Sequence, residues 1–232
     1  MNRPARRRIY LMRHASVTYF DEQGRPLDPR HVPLNPAGRE QVAATARWLA
    51  GVPLDRALCS GLPRTEQTAR AVLGDRDLPL LSDERFKEIR AGRLREILPR
   101  QRERAIAYAY DGAEQPGAAF IGGESWQSFA ERVLTAWQAW LARDDWNDLL
   151  LVAHDAVNRV ILSHIVGGGL HSLKAFEQDP ACFNLIETDS SPDGRPRCLL
   201  RAVNLTAWDP IRPDQRRTVM EQVWCHYRPQ QE

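Results

Sequence analysis

The sequence predicts an α/β fold: a three-layer α/β/α sandwich on a mixed, mostly parallel sheet, with a small cap excursion. Three observations predict it. Short apolar runs alternate with helix-length segments early in the chain, the pattern of βα units that build parallel sheets. Late in the chain two β-rich runs flank Pro192-Asp193-Gly194, a turn signal that adds a hairpin and makes the sheet mixed. Between these parts, residues 82–123 break the alternation: seven arginines lie from Arg85 to Arg104, and glycine and proline cluster at 112–123.

The elements follow in order. RIYLMR (8–13) is a short strand ending at Arg13-His14. A polar stretch from Ser16 to Leu34, with Pro26, Pro29, Pro33 and Gly24, is long for a loop in a compact domain, and such loops tend to be functional. Asn35-Pro36 opens a helix, Asn as cap and Pro at its first position; Val42, Ala46 and Leu49 share one face, and Gly51 closes it. LDRALC (54–59) is a second strand, Ser60 to Pro63 a turn, and the next helix runs through Leu73 to Gly74. LPLL (78–81) is a short edge strand, and the excursion holds one helix near 100–110. Ser125 caps a helix over 126–142, whose Phe129, Val133, Trp137 and Trp140 form an apolar stripe suited to packing. LLLVA (149–153) is a buried strand, followed by His154 and a helix to Val166 that stops at Gly167. Strands near 182–188 and 197–203 and a peripheral tail complete the chain. The 232 residues make one domain, with a core at about 8–205, the cap at about 83–123 and the tail at about 206–232.

Composition narrows the function. At 43% hydrophobic and 27% charged, the chain has a globular protein's balance rather than a disordered one's. No apolar run approaches the roughly 20 residues of a membrane helix, and only IYLM separates the basic start from Arg13, too little for a secretory signal. A cytoplasmic protein is expected. A net charge of +2 excludes an extreme polyanion binder but allows a local basic pocket. Only Lys87 and Lys174 are lysines, so 30 of the 32 basic residues are arginine, which codon bias explains for most of them. Cys59, Cys182, Cys198 and Cys225 form no C-x-x-C pair and are expected to be reduced.

The chemistry lies in two similar places, YLMRHAS (10–16) and LLVAHDA (150–156), where an apolar strand ends in a histidine. The carboxyl ends of parallel strands line the ligand crevice of an α/β sheet, so His14 and His154 are placed to meet, with Arg13 and Arg64 close by. Two guanidinium groups beside two imidazoles suit a phosphoryl group. A metal ion fits worse, because arginines repel it and no carboxylate pair accompanies the histidines. Cationic surroundings keep an imidazole neutral and able to attack phosphorus. Glu88, in FKEIRAG, is a candidate acid for the leaving alkoxide, with Glu84 and Glu96 as rivals.

These segments together resemble the histidine phosphatase superfamily, often called phosphoglycerate mutase-like. The family's strand-Arg-His signature stands as Arg13-His14-Ala15, and its leucine-to-Gly-Arg segment as LNPAGREQ (34–41). Its Ser-x-Leu-x-Arg run stands as SGLPRTEQTA (60–69), and its Glu-Ile-x-x-Gly as Glu88 to Gly92. Gly123-Glu124-Ser125 and LLVAHDAVNRVIL (150–162) complete the order. The resemblance implies that His14 becomes phosphohistidine, that Arg13, Arg64 and His154 hold the phosphoryl oxygens, and that Glu88 protonates the leaving group and later activates water. It implies neither a metal nor an organic cofactor.

The departures from the family pattern define further expectations. Many members carry an asparagine that touches phosphate where Phe20 stands here; that contact is lost or taken over by Ser16 or Thr18. The family's usual Gly-Gly after the second histidine is Asp155-Ala156, and a carboxylate beside phosphate repels it unless it points away or pairs with an arginine. As the first residue of a helix, Asp155 is expected to cap it. Leu94 replaces a usual tryptophan. The expected function is a phosphomonoester hydrolase acting on a small phosphorylated metabolite. The alternatives are mutase-type phosphotransfer and a weakly active phosphate-ligand-binding member. Glycolytic mutases of the family carry Glu-Arg-His-Tyr-Gly where this chain has EIRAG, which favours the hydrolase. Neither nucleic acid nor membrane is an expected partner: Glu84, Glu88, Glu96 and Glu103 interrupt the arginine run. A homodimer stays open, through the 78–81 edge or the tryptophan-rich helix.

Overall fold

The computed structural model describes residues 6–23, 25, 27–190, 196–213 and 215–227. Its six strands are β1 (Arg7–Arg13), β2 (Arg56–Cys59), β3 (Leu80–Ser82), β4 (Asp148–Ala153), β5 (Phe183–Ser190) and β6 (Pro196–Leu205). They form one sheet in the order β3-β2-β4-β1-β5-β6. The first four are parallel, and β5 runs antiparallel to its two neighbours β1 and β6, so the sheet is mixed and mostly parallel as expected. The helices are α1 (Pro36–Trp48), α2 (Pro63–Leu73), α3 (Pro99–Ala107), α4 (Trp126–Leu141), α5 (Asp155–Ile165) and α6 (Val219–Tyr227).

Alternation along the strands creates the three layers. Ile9 and Leu11 of β1 and Leu149 and Leu151 of β4 face Phe129, Trp137, Val157 and Ile161 of α4 and α5. Tyr10, Met12, Leu150 and Val152 face the other way, against Val42, Ala69 and Val72 of α1 and α2. Successive strand residues point to opposite faces, so a sheet covered on both sides needs an unbroken apolar run, which LLLVA supplies.

The helix signals hold. The Asn35 side chain accepts from the Gly38 N–H at 2.8 Å, that of Ser125 accepts from Ser128 N–H at 3.1 Å, and Gly74 ends α2 in the left-handed region at φ 55°. Some boundaries move. The second strand begins at Arg56; just before it the Asp55 carboxylate accepts from the N–H groups of Asn147 and Asp148. The edge strand is Leu80–Ser82 rather than 78–81: Leu78 N–H turns back to the Arg76 carbonyl and Pro79 has no N–H to give. The excursion helix ends at Ala107, and the tail carries α6, whose Val219 and Met220 are buried. The tryptophan stripe is core: Trp126, Trp137 and Trp140 are buried, which leaves no aromatic face there for a second copy. The turn expected at Pro192-Asp193-Gly194 lies outside the described residues. Among the described residues, no helix is long and apolar enough to cross a membrane.

Candidate active site

Three adjacent parallel strands, β2, β4 and β1, end side by side, and each delivers a residue to one point: Ser60 after β2, His154 after β4, Arg13-His14 at β1. The His14 N–H donates to the Ala153 carbonyl at 3.0 Å, fixing the two histidine-bearing ends in register. The imidazole rings meet edge to face, centroids 5.2 Å apart. Arg64, in the first turn of α2, lies between them. Its Nε donates to His14 Nε2 at 3.2 Å and its Nη2 to His154 Nδ1 at 3.4 Å, while Nη1 donates to the Pro29 carbonyl of the long loop. Arg13 turns its Nη1 to the Gln178 carbonyl at 2.7 Å, and its buried Nε has no hydrogen-bond partner among the described residues. All four side chains are buried: Arg13 is 8% exposed, His14 3%, Arg64 3% and His154 0%.

The hydrogen bonds fix both tautomers. The Ala15 carbonyl only accepts, so His14 Nδ1 carries the proton and donates to it at 2.8 Å; the lone pair is therefore on Nε2. Arginine only donates, so His154 Nδ1 is unprotonated and its Nε2–H donates to Ser60 Oγ at 2.8 Å. Ser60 passes the chain on to Thr65 Oγ1 at 3.0 Å, and Thr65 donates to the Leu62 carbonyl at 2.8 Å. Burial, then Arg64 and then Arg13 hold the His14 imidazole well below its ordinary pKa; burial and the same arginines do so for His154. Both rings are neutral at pH 7. Thr68 of α2 accepts from the Ala15 N–H at 3.1 Å and donates to the Arg64 carbonyl at 2.8 Å, tying the segment after His14 to the helix that carries Arg64.

Glu88 comes from the excursion. It is half-buried; one carboxyl oxygen accepts from its neighbour Ile89 N–H at 3.1 Å and the other from Ala156 N–H at 3.3 Å, two residues after His154. Burial first and the Asp155 charge second push its pKa up to about 7, against the two N–H groups and Arg64, which lower it. The carboxyl thus exchanges protons near neutrality, as general acid–base work requires.

The remaining expected residues divide. Asp155 is buried, but it does not cap α5: His154 is the cap residue and no side chain closes that end. Asp155 instead accepts from Arg159 Nε at 2.6 Å, one helical turn on, and its other carboxyl oxygen has no hydrogen-bond partner among the described residues. Arg159 also donates to Glu177 at 3.0 Å and stacks over Tyr110 at 4.2 Å. An i,i+4 pairing on one helix face holds the carboxylate, so the arginine-paired alternative describes it. Ser16 lies after His14, its N–H on Gln41 Oε1 at 3.0 Å and its carbonyl on the Asn35 N–H at 3.1 Å; its hydroxyl has no described contact with the histidines or arginines. Thr18 is exposed and accepts from Asn35 Nδ2 at 3.3 Å. Tyr19, which sequence reasoning passed over, is half-buried; burial raises the pKa of its phenol, against the charges of Arg64 and Arg13, which lower it. Among the described residues, no group of three or more His, Cys, Asp or Glu side chains is arranged to hold a metal ion.

A mixed six-stranded α/β sheet with two histidines and two arginines buried at its parallel carboxyl edge sets the class of protein. The chain belongs to the histidine phosphatase superfamily (branch 1), whose pattern matches residues 9–200. It is 28% identical over 189 residues to the adenosylcobalamin/alpha-ribazole phosphatase of Escherichia coli (strain K12), covering 78% of this chain and 89% of that one. It is 24% identical over 212 residues to the 2-carboxy-D-arabinitol-1-phosphatase of Triticum aestivum, covering 88% of this chain but only 42% of that longer protein. The alpha-ribazole phosphatase of Shigella flexneri superposes with a TM-score of 0.67 at 25% identity, over 85% of this chain and 96% of the other.

Proposed function

We propose that this protein is a phosphomonoester hydrolase for a small phosphorylated metabolite, acting through a phosphohistidine at His14. The observation that carries this reading is the His14 ring: neutral, with Nδ1–H held by the Ala15 carbonyl and the Nε2 lone pair turned into a pocket of arginine and histidine. As substrate binds, Arg64 Nε leaves that lone pair for a phosphoryl oxygen and Arg13 Nε supplies a further contact, while His154 Nδ1 accepts from Arg64 Nη2 and orients that guanidinium. Nε2 attacks phosphorus and the P–O bond breaks. The protonated Glu88 carboxyl gives its proton to the leaving alkoxide. The Glu88 carboxylate then takes a proton from water, which attacks the phosphohistidine; the N–P bond breaks and His14 returns to its neutral form. Arginines stabilise the charge spread over the transferring group. Two relatives named as phosphatases support hydrolysis of a small phosphorylated metabolite, and EIRAG at 88–92 supports hydrolysis over mutase transfer.

The positive charge in this site comes from side chains, so the reaction as written needs no divalent ion. A panel of phosphorylated metabolites, read by free phosphate with and without a chelator, tests both points. We expect one small phosphate ester to stand out, with the same rate after chelation. A rate lost to chelator and restored by magnesium or zinc contradicts the mechanism, and a panel with no released phosphate contradicts the function.

A further inference from the structure

Glu88 sits on a strip of backbone that no ladder or helix holds: residues 87–93 lie between two short 3-10 turns and are in no regular element. A proton donor must nevertheless be placed to within a fraction of an ångström. The hydrogen bonds show what places it. Arg132, on α4, donates from Nη1 to the carbonyls of Arg85 at 2.7 Å and Lys87 at 3.0 Å, just before Glu88. Its Nη2 donates to both carboxyl oxygens of Glu124 at 3.2 Å. Glu124 in turn accepts from the Arg90 N–H at 3.1 Å, just after Glu88, while its own N–H donates to the Arg90 carbonyl at 2.8 Å. The Glu124 side chain is 6% exposed and that of Arg132 27%. The close fit continues in the backbone: a Cβ on Gly92 would lie 2.5 Å from the Ile121 carbonyl oxygen, and one on Gly123 2.2 Å from that of Arg90.

We infer that Glu124 and Arg132 are a clamp that positions the general acid, gripping the backbone on both sides of Glu88 without touching the reacting atoms. The inference rests on the reading of Glu88 as acid. Glu124 and Arg132 are thus positioning residues, and the sequence shows one pattern for them: a glutamate before the N-cap Ser125 and an arginine two turns into the helix that follows. Removing either charge takes a partner from the other and from the backbone groups it holds; Glu124 without Arg132 keeps the exposed Arg90 guanidinium, 3.6 Å away.

The test is a leaving-group comparison on Arg132→Gln and Glu124→Gln, with kcat/KM measured for an alkyl phosphate and for para-nitrophenyl phosphate. kcat/KM includes the steps through departure of the leaving group, and nitrophenolate leaves largely without a proton. A displaced acid predicts a loss of about 10- to 100-fold on the alkyl ester and a much smaller loss on the aryl ester. On a Glu88→Gln background, Arg132→Gln should then add little further loss on the alkyl ester, because the group it positions is gone. Arg132→Lys, which keeps the charge opposite Glu124 but lacks the planar fork, should show the same selective loss in a variant that stays folded. Equal losses on both esters, or full additivity with Glu88→Gln, overturn the clamp. Labelled phosphate trapped on the wild-type enzyme separates the two levels of the account: no label on His14 is a failure of the hydrolase reading, whereas label on His14 with equal losses is a failure of the clamp alone.

Discussion

At His14 a single acceptor, the Ala15 carbonyl, takes the Nδ1 proton and leaves the lone pair on Nε2, where Arg64 Nε donates; in the proposed reaction an incoming anion draws that guanidinium away. Glu88 carries the complementary burden, and burial together with Asp155 brings its pKa to about 7. A group with that pKa gives its proton below neutrality and loses the ability as pH rises. On alkyl phosphates kcat/KM should therefore fall as pH rises through about 7, and Glu88→Gln should remove that fall along with about 10²–10⁴-fold of the rate. Aryl phosphates should lose far less. A Glu88→Gln enzyme that loses both esters equally, or keeps the pH limb, would assign the proton to another group, Glu84 and Glu96 being the first to try. The histidines and arginines were legible in the sequence because each stands at an abrupt end of an apolar strand or at the start of a helix. Glu88 was legible through family resemblance, its own surroundings having no period. Asp155 was misread: the Arg159 four residues on was visible, but a carboxylate at a helix start fits a cap equally well on paper, and only the folded turn decides between them.

At the scale of the elements, the site depends on loops pressed against helices. Gly38 in the first turn of α1 shows how closely: an added Cβ would lie 2.1 Å from the Ser16 carbonyl oxygen, two residues after His14. Gly38→Ala should push the segment after His14 off Thr68, costing about 1–3 kcal/mol, with the melting temperature down about 2–4 °C for each kcal/mol and activity reduced. Gly51→Ala, beyond the same helix with nothing within 4 Å, is the control and should change neither. Thermal melts of the pair check this, and equal melts would mean that the contact yields without cost. Helix starts were readable because caps are local chemistry, as at Asn35 and Ser125. The clamp of Glu124 and Arg132 was not, since it joins side chains to backbone groups 34 and 45 residues away in sequence. Nor was α6, whose short apolar face has meaning only against the excursion it covers.

For the molecule as a whole, the order of strands explains why so distant residues meet: β1 enters the middle of the sheet beside β4, so positions 14 and 154 become neighbours. The alternation of apolar runs carried the mixed, mostly parallel sheet in the sequence, while the strand order and the exact reach of the long loop, whose Pro29 carbonyl rests on Arg64, did not follow from it. The account's central claim is that phosphate passes through His14. Enzyme mixed with a labelled phosphate ester and quenched in alkali within milliseconds should carry acid-labile, alkali-stable phosphate on the peptide containing His14, and His14→Ala should carry none and turn nothing over. Label on another residue, or a His14→Ala enzyme working at a near wild-type rate, would contradict it.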